Sequence, residues 1–155
     1  MSNVIVSGGF DPIHVGHVRM FNEAKNLANP LGGELIVIVN NDKFLKDKKG
    51  YVFMPFEERM EVIANLKSVD RVVPSIDNDH TVCLTLQELC QDLSNKISVF
   101  ANGGDRKGRE DIPEADVCQQ YGVGLIFNIG GEKIQSSSDL VNDFWEERYE
   151  QLSGK

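Results

Sequence analysis

The chain has 155 residues, of which 41% are hydrophobic and 26% charged, and it carries a formal net charge of −8. That length supports one domain with a genuine core, so residues 1–155 are expected to form a single unit. The acidic balance excludes wholesale nucleic-acid binding, which needs a Lys/Arg excess, yet it leaves room for one small anion in a local pocket.

Apolar runs alternate with helical periods along the chain. Residues 4–6 read as a buried strand and residues 15–28 as a helix, stopped by Asn29-Pro30-Leu31-Gly32-Gly33. Residues 35–39 are continuously apolar, as expected of a strand covered on both faces. Residues 43–50 read as a lysine-bearing loop. A helix follows over 56–66, entered through Pro55, and then a short strand at 72–73. A helix over 81–93, a strand over 97–101, a short helix over 113–121 and a strand over 125–127 come next. Ser136, with Asp139 three residues on, resembles a capping box opening a helix to about Gln151. Phe144, Trp145 and Tyr149 on that helix are expected to dock on the sheet, with a homodimer interface as the other use.

Strands alternating with helices imply an α/β fold with a parallel sheet and right-handed crossovers, and its ligands lie beyond the carboxyl ends of the strands. Cys83, Cys90 and Cys118 make an odd count without Cys-x-x-Cys spacing, which favours packing roles and a reducing compartment over zinc. No leader pattern precedes the first strand and no apolar run is long enough for a membrane span. A cytoplasmic protein without membrane contact is therefore expected.

The chemistry concentrates in Ser7-Gly8-Gly9-Phe10-Asp11-Pro12-Ile13-His14-Val15-Gly16-His17, which holds two of the three histidines. A glycine pair at a strand end lets backbone N–H groups approach a phosphate. The helix beyond it offers unpaired donors and the positive end of its dipole. Two imidazoles three positions apart project from the first turn toward one spot. Near-neutral pKa values would let them carry positive charge as a phosphoryl transition state forms. Gly16 between them would let the backbone approach a ligand without a Cβ clash.

Gly-Phe-Asp-Pro-x-His-x-Gly-His closely resembles the signature of the HxGH nucleotidyltransferases, the cytidylyl- and adenylyltransferases of Rossmann-like fold. Val39-Asn40-Asn41-Asp42, Pro55 to Arg59, Ser68-Val69-Asp70, Gly103-Gly104-Asp105 and Ser136-Ser137-Ser138 match further landmarks in order. The resemblance implies a three-layer sandwich around a central parallel sheet of about five strands. It implies transfer of a nucleoside monophosphate from a nucleoside triphosphate to a small phosphorylated acceptor, releasing pyrophosphate. Relatives often pair as homodimers. Magnesium would arrive on the triphosphate, since no carboxylate cluster suggests a dedicated cage.

By the same resemblance, His14 and His17 are catalytic and Ser7, Gly8, Gly9, Phe10, Asp11 and Gly16 bind nucleotide, with Asp11 ordering the loop. Heptose-phosphate adenylyltransferases carry a lysine-rich segment ending in Lys-Gly, which Lys46 and Lys49-Gly50 match. Lys46 is accordingly assigned a catalytic role and Lys49 a phosphate role. Asp42 is a cap or an acceptor-side residue. Arg59 either supports the acceptor or phosphate or makes surface ion pairs with Glu57, Glu58 and Glu61. Gly104, Asp105 and Arg106 would border the nucleoside, and Ser136, Ser137 and Ser138 would cap a helix while holding the triphosphate. Three serines replace the usual Ser-Thr-Thr. The glycerol-phosphate cytidylyltransferases' upstream arginine is absent, although Lys133 could act there as a point charge. ATP with a sugar phosphate is favoured. The alternatives are CTP with glycerol 3-phosphate or phosphoethanolamine, and a non-catalytic nucleotide-binding domain.

Overall fold

The computed structural model describes residues 2–103 and 108–154. Strand β1 (Asn3–Gly8) leads through the histidine loop into helix α1 (Val15–Ala28), and β2 (Leu35–Val39) follows. Helices α2 (Asp42–Lys49) and α3 (Phe56–Ala64) precede β3 (Arg71–Pro74). Then come α4 (Cys83–Gln91), β4 (Ile97–Ala101), α5 (Ala115–Gln120), β5 (Gly124–Ile126) and α6 (Ser137–Leu152).

The strands form one sheet in the order β3-β2-β1-β4-β5, with every pairing parallel. The chain winds outward from β1 to β3, then returns to start the other half at β4. The β1–β4 boundary is therefore the switch point at which such sheets bind ligands.

Side-chain alternation explains the layers. Val4, Val6, Leu35, Val37 and Val39 face Phe21, Ala24 and Ala28 of α1 and Ile63 of α3. Ile5, Ile36 and Ile38 point the other way, toward Leu86 of α4 and Cys118 of α5. Both faces are covered, which is why these strands read as unbroken apolar runs. Phe21, about 1% exposed, is worth roughly 1.5–3 kcal/mol by burial alone.

Two segments depart from expectation. Residues 42–49 form helix α2 rather than a loop: the Asn41 side chain accepts from Phe44 N–H at 2.8 Å, and Gly50 closes the helix at φ 88°. The second is α6. None of its residues is buried, and Phe144, Trp145 and Tyr149 are each more than 60% exposed. The expected docking of this helix on the sheet does not occur: α1 and α3 cover one face and α4 and α5 the other.

Helix α4 starts at Cys83, later than its periodicity suggests. The buried carboxylate of Asp77 takes the Leu84 and Thr85 N–H groups at 2.8 and 3.0 Å and so sets its first turn.

Candidate active site

Beyond the carboxyl ends of β1, β2 and β4 lies a cavity of about 350 Å³. The loop from Ser7 to His17 forms its floor, with Ser7, Gly8, Gly9, Phe10, Asp11, His14, Gly16 and His17 all lining it.

His14 is the N-cap of α1, in an extended conformation. Its Nδ1 accepts from Gly16 N–H at 3.0 Å, while His17 Nδ1 accepts from His14 N–H at 3.2 Å. The two rings stack with centroids 3.8 Å apart. With both Nδ1 atoms accepting, each ring carries its proton on Nε2. The pair therefore presents two neutral N–H donors.

Burial pushes the His17 pKa down to about 3, assisted by the neighbouring His14, Lys49 and Lys133 charges. His14 is lowered for the same first reason, then by Lys133 and Lys49. The expectation of near-neutral, readily charged imidazoles is thereby corrected. Withdrawal from water and two nearby ammonium groups oppose a proton on either ring.

The loop is held by packing on all sides. Phe10 adopts a left-handed φ of 53° and sets its ring edge-on to His17 and Phe21 at 5.0 and 5.1 Å. Gly16 also makes room within the loop: a Cβ there would lie 2.8 Å from the His14 ring, so glycine admits the folded-back imidazole. Asp11, about 1% exposed, accepts from Phe53 N–H at 2.7 Å and from Met54 N–H. Its role is to order the loop against the segment before α3.

Arg59 is 1% exposed. Its guanidinium donates to the carbonyls of Met54, Gly9 and Asn40 at 2.9, 2.8 and 2.6 Å, and to Asp42 Oδ1 at 2.7 Å. It does not line the cavity, nor does Asp42. The surface ion-pair reading of Arg59 gives way, and the guanidinium supports the loop from behind without facing the cavity. Arg59 and Asp42 brace the loop, the end of β2 and α3 against one another.

Lys46 is exposed and stands outside the cavity wall, whereas Lys48 and Lys49 line it. The helical twist of α2 makes the difference, because it turns one lysine away from the wall that its neighbours face. Lys49 Nζ donates to the Asp11 carbonyl at 2.7 Å. Its pKa is lowered, first by burial, then by the Lys48 and Arg59 charges against an opposing pull from Asp11.

Ser136 caps α6 by accepting from Asp139 N–H, and Ser137 Oγ donates to the Pro12 carbonyl at 2.7 Å. Ser136, Ser137 and Ser138 all face the cavity, so the α6 N-terminus and the α1 N-terminus converge on it. Gly104, Asp105 and Arg106 lie outside the described residues.

The cavity also includes Asn40, His80, Glu114 and Lys133, to which sequence reading gave no firm role. For Asn40 the available signal was a polar residue directly following a five-residue apolar strand. His80 and Glu114 come from segments far apart in sequence and carried no signal.

Residues 5–152 match the cytidylyltransferase-like family. The chain belongs to it. Among curated relatives, the FAD synthase of Archaeoglobus profundus is 38% identical over 93 residues, 60% of this chain and 56% of the relative. The bifunctional protein HldE of Vibrio parahaemolyticus is 34% identical over 141 residues, 90% of this chain and 27% of the relative. The glycerol-3-phosphate cytidylyltransferase of Bacillus subtilis is 29% identical across 87% of this chain and 95% of its own. The chain thus spans about half the length of that FAD synthase and about a quarter of HldE. A crystal structure of a lipopolysaccharide core biosynthesis protein from Thermoplasma volcanium shares the fold. Its TM-score is 0.65 at 24% identity, over 86% of this chain and 99% of that one. The Rossmann-like sandwich with five parallel strands is confirmed by this likeness and by the sheet itself.

Proposed function

We propose that this chain is a nucleotidyltransferase that moves a nucleoside monophosphate from a nucleoside triphosphate, ATP by preference, to a small phosphorylated acceptor. The observation that carries this reading is the stacked His14–His17 pair with both Nδ1 atoms engaged by backbone. An acceptor phosphate oxygen attacks the α-phosphorus, the bond from that phosphorus to the bridging oxygen breaks, and pyrophosphate leaves. The protein supplies alignment and charge stabilisation rather than a covalent nucleophile. The two Nε2–H groups donate to phosphoryl oxygens, Lys49 and Lys133 add positive charge, and the α1 and α6 N-termini offer backbone donors.

Magnesium enters on the triphosphate as part of the substrate. The Asp11 carboxylate is committed to two backbone N–H groups and Glu114 Oε1 to Val82 N–H at 3.0 Å, so neither is arranged as a metal cage. The adenylyl reading draws on HldE, which aligns with 90% of this chain; a heptose 1-phosphate-type acceptor fits it. The glycerol-3-phosphate cytidylyltransferase, covered over 95% of its length, favours CTP as the second reading.

Among the described residues no helix is long and apolar enough to cross a membrane. We place the protein in the cytoplasm as a single nucleotidyltransferase unit acting on small molecules, without nucleic acid. The exposed Phe144, Trp145 and Tyr149 support pairing of two copies through α6. Sedimentation equilibrium of the protein and of Trp145→Glu tests that pairing: a dimer dissociated by the substitution supports it, and a monomeric parent rules it out. The activity is tested by magnesium-dependent pyrophosphate release, with ATP and CTP each crossed against heptose 1-phosphate, glycerol 3-phosphate and phosphoethanolamine. Release in one pair, lost in His17→Ala, is expected; silence in all of them together with no binding of ATP or CTP would contradict the proposal.

A further inference from the structure

Two adjacent asparagines leave β2, and the fold uses only one of them. Asn41 caps α2. The Asn40 backbone is fixed on both sides: its N–H donates to Gly8 at 2.9 Å and its carbonyl accepts from Arg59 at 2.6 Å. Its carboxamide is another matter. Asn40 is 5% exposed and lines the cavity, yet its buried Oδ1 has no donor among the described residues.

An unpaired buried acceptor is a standing cost, and five apolar residues precede this one, so a sixth would stabilise the empty protein. The terminal torsion of an asparagine is soft, so the carboxamide can turn to meet, from the cavity side, a ligand hydroxyl that both donates and accepts.

The side of the cavity identifies the ligand. Ile129 N–H donates to the Asn102 carbonyl at the end of β4, and the chain then runs on to the α6 serines. On the nucleotidyl-transfer reading these segments hold the nucleotide, and the cavity wall beyond β2, which flanks β1 on the other side, is left for the acceptor. Of the carboxylates there, Asp11 is committed to backbone, Asp42 to Arg59 and Glu114 through Oε1 to the Val82 N–H, while Lys48 and Lys49 supply positive charge. Such a surface repels an ammonium and suits a phosphate beside a neutral hydroxyl.

We infer that Asn40 reads a hydroxyl of the acceptor and selects a phosphorylated polyol or sugar over a phosphorylated amino alcohol. This rests on the nucleotidyl-transfer reading above.

The test uses Asn40→Leu and Asn40→Asp, with whichever of ATP or CTP supports turnover. Acceptors are heptose 1-phosphate and glycerol 3-phosphate against phosphoethanolamine, with melting temperatures measured alongside. The wild type should prefer a hydroxyl-bearing acceptor. Asn40→Leu should melt at or above the wild-type temperature and lose about 10- to 100-fold in kcat/KM for that acceptor, with the nucleotide KM within about twofold. Asn40→Asp should shift the preference toward phosphoethanolamine. A rise in nucleotide KM, an equal loss for all acceptors, or a fall in the melting temperature of Asn40→Leu would overturn the inference. So would a wild type that prefers phosphoethanolamine. A wild type that is silent in every pair and binds neither ATP nor CTP instead overturns nucleotidyl transfer itself, an outcome that the unsubstituted protein alone reveals.

Discussion

Ser137 Oγ donates to the Pro12 carbonyl at 2.7 Å across 125 residues of chain. This bond fixes the N-terminus of α6 against the loop that carries His14 and His17, so two helix ends and two imidazoles address one volume. Helix α6 buries none of its own residues, which leaves this polar tether as a principal constraint on where it starts. Ser137→Ala should cost about 1 kcal/mol of stability and raise the nucleotide KM several-fold while leaving the acceptor KM nearly unchanged. Steady-state kinetics varying each substrate in turn check this.

The depressed pKa of His17 has a sign that can be worked out. Folded His17 resists protonation down to about pH 3, whereas the unfolded residue takes a proton near 6.5. Between those values the unfolded state binds more protons, so stability falls as pH drops from about 6.5 toward 3; above 6.5 the contribution vanishes. His17→Asn should flatten this part of the denaturation profile between pH 6.5 and 5. Because His17 stays neutral down to about pH 3, its titration should put no step in kcat between about pH 6 and 8. A rate step near pH 6.5 that disappears in His17→Asn would show that a charged His17 is required.

Arg59 is the brace behind the loop. Replacing it with leucine leaves the Gly9, Asn40 and Met54 carbonyls and Asp42 without their donor. It should cost about 3–5 kcal/mol in urea denaturation. Arg59→Lys should rescue little, since one ammonium cannot reproduce a planar fork with four acceptors.

The two motif lysines should separate cleanly. Lys49→Met removes the cation held at the cavity wall and should lower kcat/KM by about 100-fold or more. Lys46→Met, on the exposed side of α2, should remain within about threefold of the wild type. Parallel assays of the two variants decide between them.

The fold was legible because its strands are buried on both faces. Runs such as Leu35–Val39 leave no polar alternation to misread, and the glycine and proline punctuation falls where the helices stop. The histidine loop was legible because its residues are local. Arg59 was not: between Glu57, Glu58 and Glu61 a surface residue and a support of the phosphate site read equally well, and only the tertiary fold shows that its partners are carbonyls of three separate segments. The lysine segment failed for a related reason. As a loop, all its cations are equivalent; as a helix capped by Asn41, it turns Lys48 and Lys49 inward and Lys46 outward. The α6 aromatics misled because apolar periodicity marks a face to be covered without saying what covers it.

The most direct test follows the reaction by ³¹P NMR with magnesium, a nucleoside triphosphate and the acceptor that supports turnover, comparing the protein with His17→Ala. The account predicts new diphosphate-diester resonances rising in step with pyrophosphate, and their loss in the variant. Undiminished product from His17→Ala, or release of inorganic phosphate without a diester, would contradict it.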